Sequence, residues 1–193
     1  MDDVSTDRRA RRVPKPLDAA RLEEMALAYV ARFATSAGKL SAYLKRKLRE
    51  RGWEGDAPHD VPALVARFVA RGYVDDAGYA KAKAQGLLRR GYGARRIDQA
   101  LGAAGIAENV REEARGTRRD ARAAALAFAR KRRLGPFGHG SHEHGESVRL
   151  DPVTREKQVA AMLRAGHPLA SARALVNAGS ITQAEEWADE DVD

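Results

Sequence analysis

The chain has 193 residues, with 35 Lys and Arg against 27 Asp and Glu, a net charge of +8 and an isoelectric point near 10.0. It has no Cys, which excludes a disulfide framework and thiolate chemistry. Its first twenty residues lack an apolar signal core, and no apolar run reaches the roughly 18–20 residues a membrane-spanning helix needs. Such a length fits one ordinary domain or a string of small modules. The positive surplus points to polyanionic partners: nucleic acid, a nucleoprotein surface or an acidic protein. A cytoplasmic setting is expected.

Residues 1–16 read as a flexible basic arm that closes on the breaker run Val13-Pro14-Lys15-Pro16. Beyond it Ala, Leu, Arg and Lys dominate, all good helix formers, and no alternating β run is found. Leu40, Leu44 and Leu48, with Tyr43 beside them, form an apolar stripe on a helix whose other positions include Lys45, Arg46, Lys47, Arg49 and Arg51. Val61, Leu64, Val65 and Phe68 make a second stripe, Ile97 and Leu101 a third, and Val159, Met162 and Leu163 a fourth. Gly52, Gly72, Gly91, Gly105, Gly166 and Gly179 each follow an apolar residue by four positions. Glycine just past a helix end relieves the left-handed conformation common there, so these six read as helix stops.

The stops expose a repeat. Tyr29, Tyr79 and Phe128 each sit between small or β-branched residues, 50 and 49 positions apart, and a Gly stop follows each at 52, 105 and 166. A short helix then follows each stop, near 60–71, 107–115 and 168–178. A helical period near 50 residues implies stacked units that bury one another's open faces. The expected fold is therefore all-α, an elongated tandem repeat of three three-helix modules. The division drawn is 17–56, 57–105 and 106–180, with a Gly/His-rich loop inserted at 134–153 and a solvated acidic tail at 181–193. The three rings are expected to anchor the packing, with Tyr79→Ala costing a few kcal/mol.

The pair Asp75-Asp76 stands between Gly72-Tyr73-Val74 and Tyr79-Ala80. Tyr73 and Val74 are expected to pack, and the next helix to begin near Asp76, with one aspartate as N-cap and the other in the first turn or linker. Metal or acid–base chemistry needs further ligands or a pocket that splits the two pKa values, and Lys81 and Lys83 follow instead. His139, His142 and His144 lie in the Gly-rich insert without Cys or a second ligand pair at zinc spacing, and read as a loop. No catalytic constellation, metal site or cofactor motif emerges. The basic clusters carry more: the cations at 45–51, then Arg89-Arg90, Arg95-Arg96, Arg118-Arg119, and Arg130-Lys131-Arg132-Arg133. Stacking of the modules is expected to align them into a stripe that contacts phosphates without reading bases.

Tyr73-Val74-Asp75-Asp76 followed by Tyr79-Ala80 resembles the central signature of the RecX family of bacterial recombination regulators. The likeness continues through Leu88-Arg89-Arg90-Gly91, Ile97-Asp98-Gln99-Ala100-Leu101 and Gly105-Ile106. It returns in Ala127-Phe128-Ala129-Arg130-Lys131-Arg132 and Met162-Leu163-Arg164-Ala165-Gly166. It implies tandem three-helix modules, and a monomeric, non-catalytic protein that binds the RecA–DNA filament and restrains ATP hydrolysis, strand exchange and coprotease activity. The likeness labels no individual contact residues; the filament-binding residues are expected among the stripe cations Lys45, Arg46, Lys47, Arg49, Arg51, Arg89, Arg90, Arg95, Arg96, Arg130, Lys131, Arg132 and Arg133, with non-specific contact to DNA. Two features depart from the family pattern: the His-rich insert, and the polar, poorly periodic run from Glu108 to Arg119. The alternative function is a sequence-independent nucleic-acid binder.

Overall fold

The computed structural model describes residues 15–138 and 150–190. Among them the chain is helical, with one isolated parallel bridge between Leu17 and Trp53 and no strand. The helices are α1 (Ala19–Arg32), α2 (Ala37–Arg51), α3 (Val61–Ala70), α4 (Asp76–Arg89), α5 (Ala94–Gly102), α6 (Glu108–Glu113), α7 (Arg118–Arg132), α8 (Pro152–Arg164), α9 (Leu169–Val176) and α10 (Ile181–Asp189). A 3-10 turn, Gly135–Phe137, follows α7. Most helix starts are written in the sequence. The side chains of Asp18, Ser36, Asp60, Asp75, Thr117, Asp151 and Ser180 each accept a backbone N–H of the first turn, satisfying donors that have no partner within the helix.

Three hydrophobic clusters sort these helices. Leu22 and Ala26 of α1 meet Leu40, Leu44 and Leu48 of α2 and Val61, Leu64, Val65 and Phe68 of α3. Ala80, Ala84 and Leu87 of α4 meet Ile97 and Leu101 of α5, with Val110 of α6 alongside. Phe128 and Ala129 of α7 meet Met162 of α8, Leu175 and Val176 of α9 and Ala184 of α10. The boundaries drawn from sequence need correction, because α3 shares the first core and α6 the second. The three-helix units are α1–α3, α4–α6 and α7–α9, with α10 packed onto the third, which matches the short third helices read from the repeat.

Other expectations also change. Residues 181–189 form a helix with Ala184 and Ala188 buried, so this stretch is not a free tail, although Glu186 and Asp189 are exposed on it. Leu134, Gly135 and Pro136, assigned to the insert, are buried at the third core. Residues 1–14, 139–149 and 191–193 lie outside the described residues, and with them the arm, the three histidines and the end of the tail. The polar run 108–119 supplies α6 and the start of α7, which opens with a reciprocal cap between Thr117 and Asp120. Positive φ is found at Gly52, Gly72, Gly91, Gly105 and Gly166 as expected, but not at Gly179, whose N–H instead donates to Gln183 Oε1 at 2.6 Å. Val74 is buried, whereas Tyr73 is 50% exposed, its ring tilted against that of Phe68 at 5.5 Å between centres. Phe128 is buried; Tyr79 is half-buried beneath Lys39, so its truncation is expected to cost nearer 1–2 kcal/mol than the larger figure for a core ring.

Successive units dock by one repeated joint. The N-terminus of the middle helix of each unit rests on the chain just past the end of the next unit's middle helix. In the first joint Ser36 Oγ donates to Ala104 O at 2.5 Å, and Gly38 faces Gly105. Asp76 Oδ1 accepts the N–H of Ala37 at 2.8 Å, so the second aspartate of the pair also caps α2 across the joint. In the second joint Gly93 N donates to Ala165 O at 2.9 Å and Arg95 N to Gly166 O at 3.3 Å. His167 is buried there, its Nε2 2.9 Å from Gly91 O. Tyr92 packs against both the second and third cores.

Candidate polyanion-binding cleft

The second joint builds an open cleft of about 650 Å³. Arg90 comes from the end of α4 and Arg96 from the first turn of α5. Lys131 and Arg132 come from the last turn of α7, and Arg164 from the end of α8. Tyr92 and Phe128 supply ring surface, and no carboxylate lines the cleft. The Arg90 guanidinium lies 5.4 Å from the Tyr92 ring centre and that of Arg132 6.0 Å from Phe128. These contacts hold two of the cations in place while leaving their hydrogen-bond donors to solvent.

The single stripe expected from sequence is not what the fold makes. On α2, Arg46 and Lys47 share Glu50 at 3.6 and 2.6 Å, and Arg51 donates to Lys15 O and lies against Met25 Sδ. The Lys47 hydrogen bond holds the Glu50 carboxyl below its ordinary pKa. Lys45 and Arg49 are exposed on the same helix. Arg89 lines a different cavity, beside Leu88, Glu113 and Asp120. Arg95 faces Gln99 and Arg164 in a smaller cavity. Arg130 is paired with Glu185 of α10 and lies over Phe137. Arg133 takes a left-handed backbone at the end of α7. Thus four of the sequence-identified cations, Arg90, Arg96, Lys131 and Arg132, come together, and Arg164 joins them. Arg164 stands alone between Leu163 and Ala165, so a search for charge runs misses it. The available signal was its place two residues before a helix-stop glycine.

The signature residues serve structure. Asp75 Oδ1 accepts Gly78 N at 2.9 Å as N-cap, Gly72 ends the α3 region, Ala80 is fully buried and Asp76 spans the first joint. Among the described residues no group of three or more His, Asp or Glu is placed to hold a metal ion, and no helix is long and apolar enough to cross a membrane. Burial holds the His167 imidazole below its ordinary pKa, against the opposing pull of its bond to Gly91 O.

A helical array docked unit on unit, with a cationic cleft at one joint, defines an all-α protein built from tandem three-helix units. Residues 75–114 match the family description "RecX, second three-helix domain", and α4–α6 are that unit. A curated relative from Myxococcus xanthus, "Regulatory protein RecX", is 32% identical over 176 residues, covering 85% of this chain and 88% of its own length. A protein of the same description from Thermus thermophilus is 40% identical over 88 residues, covering 46% of this chain and 58% of its own. The crystal structure of RecX from Lactobacillus salivarius superposes with a TM-score of 0.60 at 16% identity, over 81% of this chain and 93% of that one. The chain belongs to the RecX family.

Proposed function

We propose that this chain regulates the RecA recombinase by binding the RecA–DNA filament and restraining ATP hydrolysis, strand exchange and coprotease activity, without catalysing a reaction itself. The observation that carries the reading is the cleft at the second joint, five cations and no carboxylate, on an array of repeated units. A filament is a long anionic assembly. Successive units give several contact points along it, and weak contacts in series add through effective concentration. The net charge of +8 favours encounter with it. The protein acts as a monomer in the cytoplasm, with the RecA filament as partner and non-specific contact to DNA.

The test is single-strand-dependent ATP hydrolysis by the RecA of the same organism, measured with this protein added over a salt series. Inhibition at or below one chain per RecA protomer is expected, weakening as salt rises. An unchanged rate across the series overturns the reading. The cleft also favours a second reading, a sequence-independent nucleic-acid binder. That reading expects equal affinity for bare strands and filaments and a steep loss of binding with salt.

A further inference from the structure

We propose that the cleft at the second joint is a phosphate-binding site, taking closely spaced phosphate groups on Arg90, Arg96, Lys131, Arg132 and Arg164. Several arginines of this chain meet a carboxylate, while others, such as Arg89, Arg95 and Arg173, have no ion pair among the described residues; the cleft differs in that five cations converge there without one. Arg21 meets Glu54, Arg67 meets Glu23, Arg111 and Arg115 meet Asp98, and Arg122 meets Glu190. The five cleft cations have no carboxylate partner among the described residues. Like charges gathered in a concave site repel one another. Here they are gathered by backbone rather than by mutual attraction. The Gly93–Ala165 and Arg95–Gly166 hydrogen bonds fix α5 against the end of α8, and Tyr92 joins the two cores beneath. A rigid frame that holds five cations together without an internal counter-ion is preorganised for an external anion.

The chemistry of that anion follows from the donors. Four of the five are guanidinium groups, which match phosphate oxygens with paired N–H donors. Their attachment to four different helices spreads them around a volume within the range of small-ligand sites. One isolated phosphate would leave most of them unused; consecutive phosphates of a nucleic-acid strand, or the chain of a free polyphosphate or nucleoside triphosphate, would engage several at once. This assignment rests on the reading of that face as the one turned to a polyanion.

The test uses the full chain without RecA. A fluorescein-labelled oligothymidylate, followed by anisotropy over a salt series, is one arm; inorganic tripolyphosphate and ATP, followed by calorimetry, are the other. The Lys131→Gln/Arg164→Gln pair is compared with Arg32→Gln/Arg173→Gln, an equal charge loss at exposed positions that do not line the cleft. The cleft pair is expected to weaken binding about tenfold or more and to lower the logarithmic salt slope for the strand by about 1.4, two contacts' worth. The control pair is expected to change binding less than about twofold, as general charge loss alone would. Thermal melting of both pairs checks that the fold is kept. Cleft-dependent loss in the strand arm identifies a nucleic-acid backbone; loss in the polyphosphate arm alone identifies a free polyphosphate. If the cleft pair behaves like the control in both arms, the site is overturned. Should the cleft bind phosphate while RecA hydrolysis goes unrestrained, the filament function falls and the site stands; the reverse outcome removes the site and spares the function.

Discussion

The two joints of this molecule share a geometry and differ in chemistry. At the first, side chains make the connection: Ser36 Oγ reaches Ala104 O, and Asp76 reaches Ala37 N–H. At the second, the position that corresponds to Ser36 is Gly93, and there backbone meets backbone, with His167 Nε2 beside Gly91 O as the side-chain contact. A Cβ on Gly93 would lie 2.3 Å from Gly166 O, and one on Gly166, at φ +94, would lie 2.5 Å from Arg96 N. A joint made by a side chain loses a bond when that side chain is shortened. A joint made by bare backbone is separated when any side chain is added. The cationic cleft lies on the second, where close approach of the chains brings Arg96 and Arg164 to one wall.

The comparison is broken most directly at Gly166. Replacing it by Ala combines a left-handed backbone with contact against immovable main chain, and is expected to cost about 3 kcal/mol or more. Urea unfolding should show the third unit melting before the others. A single transition within about 0.5 kcal/mol of the parent would mean the joint is looser than its distances show. At the first joint, Ser36→Ala removes both the N-cap of α2 and the bond to Ala104 O, for an expected loss of about 1–2 kcal/mol. A Ser36→Gly variant, tolerated as an N-cap, should recover part of it if the second joint's chemistry is transferable.

The smallest effect is a pH dependence confined to the second joint. Burial favours the neutral His167 ring, so its folded pKa lies below the ordinary value of about 6.5. The unfolded chain then binds the extra proton first as pH falls. Stability is complete above about pH 6.5 and declines through the window beneath it, with a slope of at most about 1.4 kcal/mol per pH unit. Melting temperatures between pH 7 and pH 5, above the ordinary carboxylate range, should fall in the parent and flatten in His167→Gln. Equal slopes in both chains would place the titrating group elsewhere.

Much of the fold was legible because its signals are local. The Leu40, Leu44, Leu48 spacing and five of the glycine stops are each fixed by neighbours within a turn or two, and the ring repeat shows by simple recurrence along the chain. Gly179 misled because an apolar residue four positions earlier suffices for the pattern, yet α9 ends at Val176 and Gly179 lies in the turn that leads into α10. The unit boundaries were misplaced because short α3 and α6 face backward onto their own units, and sequence order alone does not reveal which core a short helix covers. Acidic residues 185–190 looked solvated; the Ala184, Trp187 and Ala188 surface between them was the signal that they form an amphipathic helix. The cleft was only half legible. Arg90, Lys131 and Arg164 are separated by 41 and 33 positions and meet only after two units dock.

The bridge at Leu17 shows the same position of the repeat put to a different use. Gly52 holds the place in the first unit that Gly105 and Gly166 hold in the others. Its carbonyl, the counterpart of the one that receives Arg95 N–H, is taken at 3.0 Å by the N–H of Leu17, and Glu54 N–H returns the bond to Leu17 O. Leu17 is fully buried in the first core. The carbonyl that takes a neighbouring unit's N–H at the second joint is thus satisfied, in the first unit, by that unit's own leading residue.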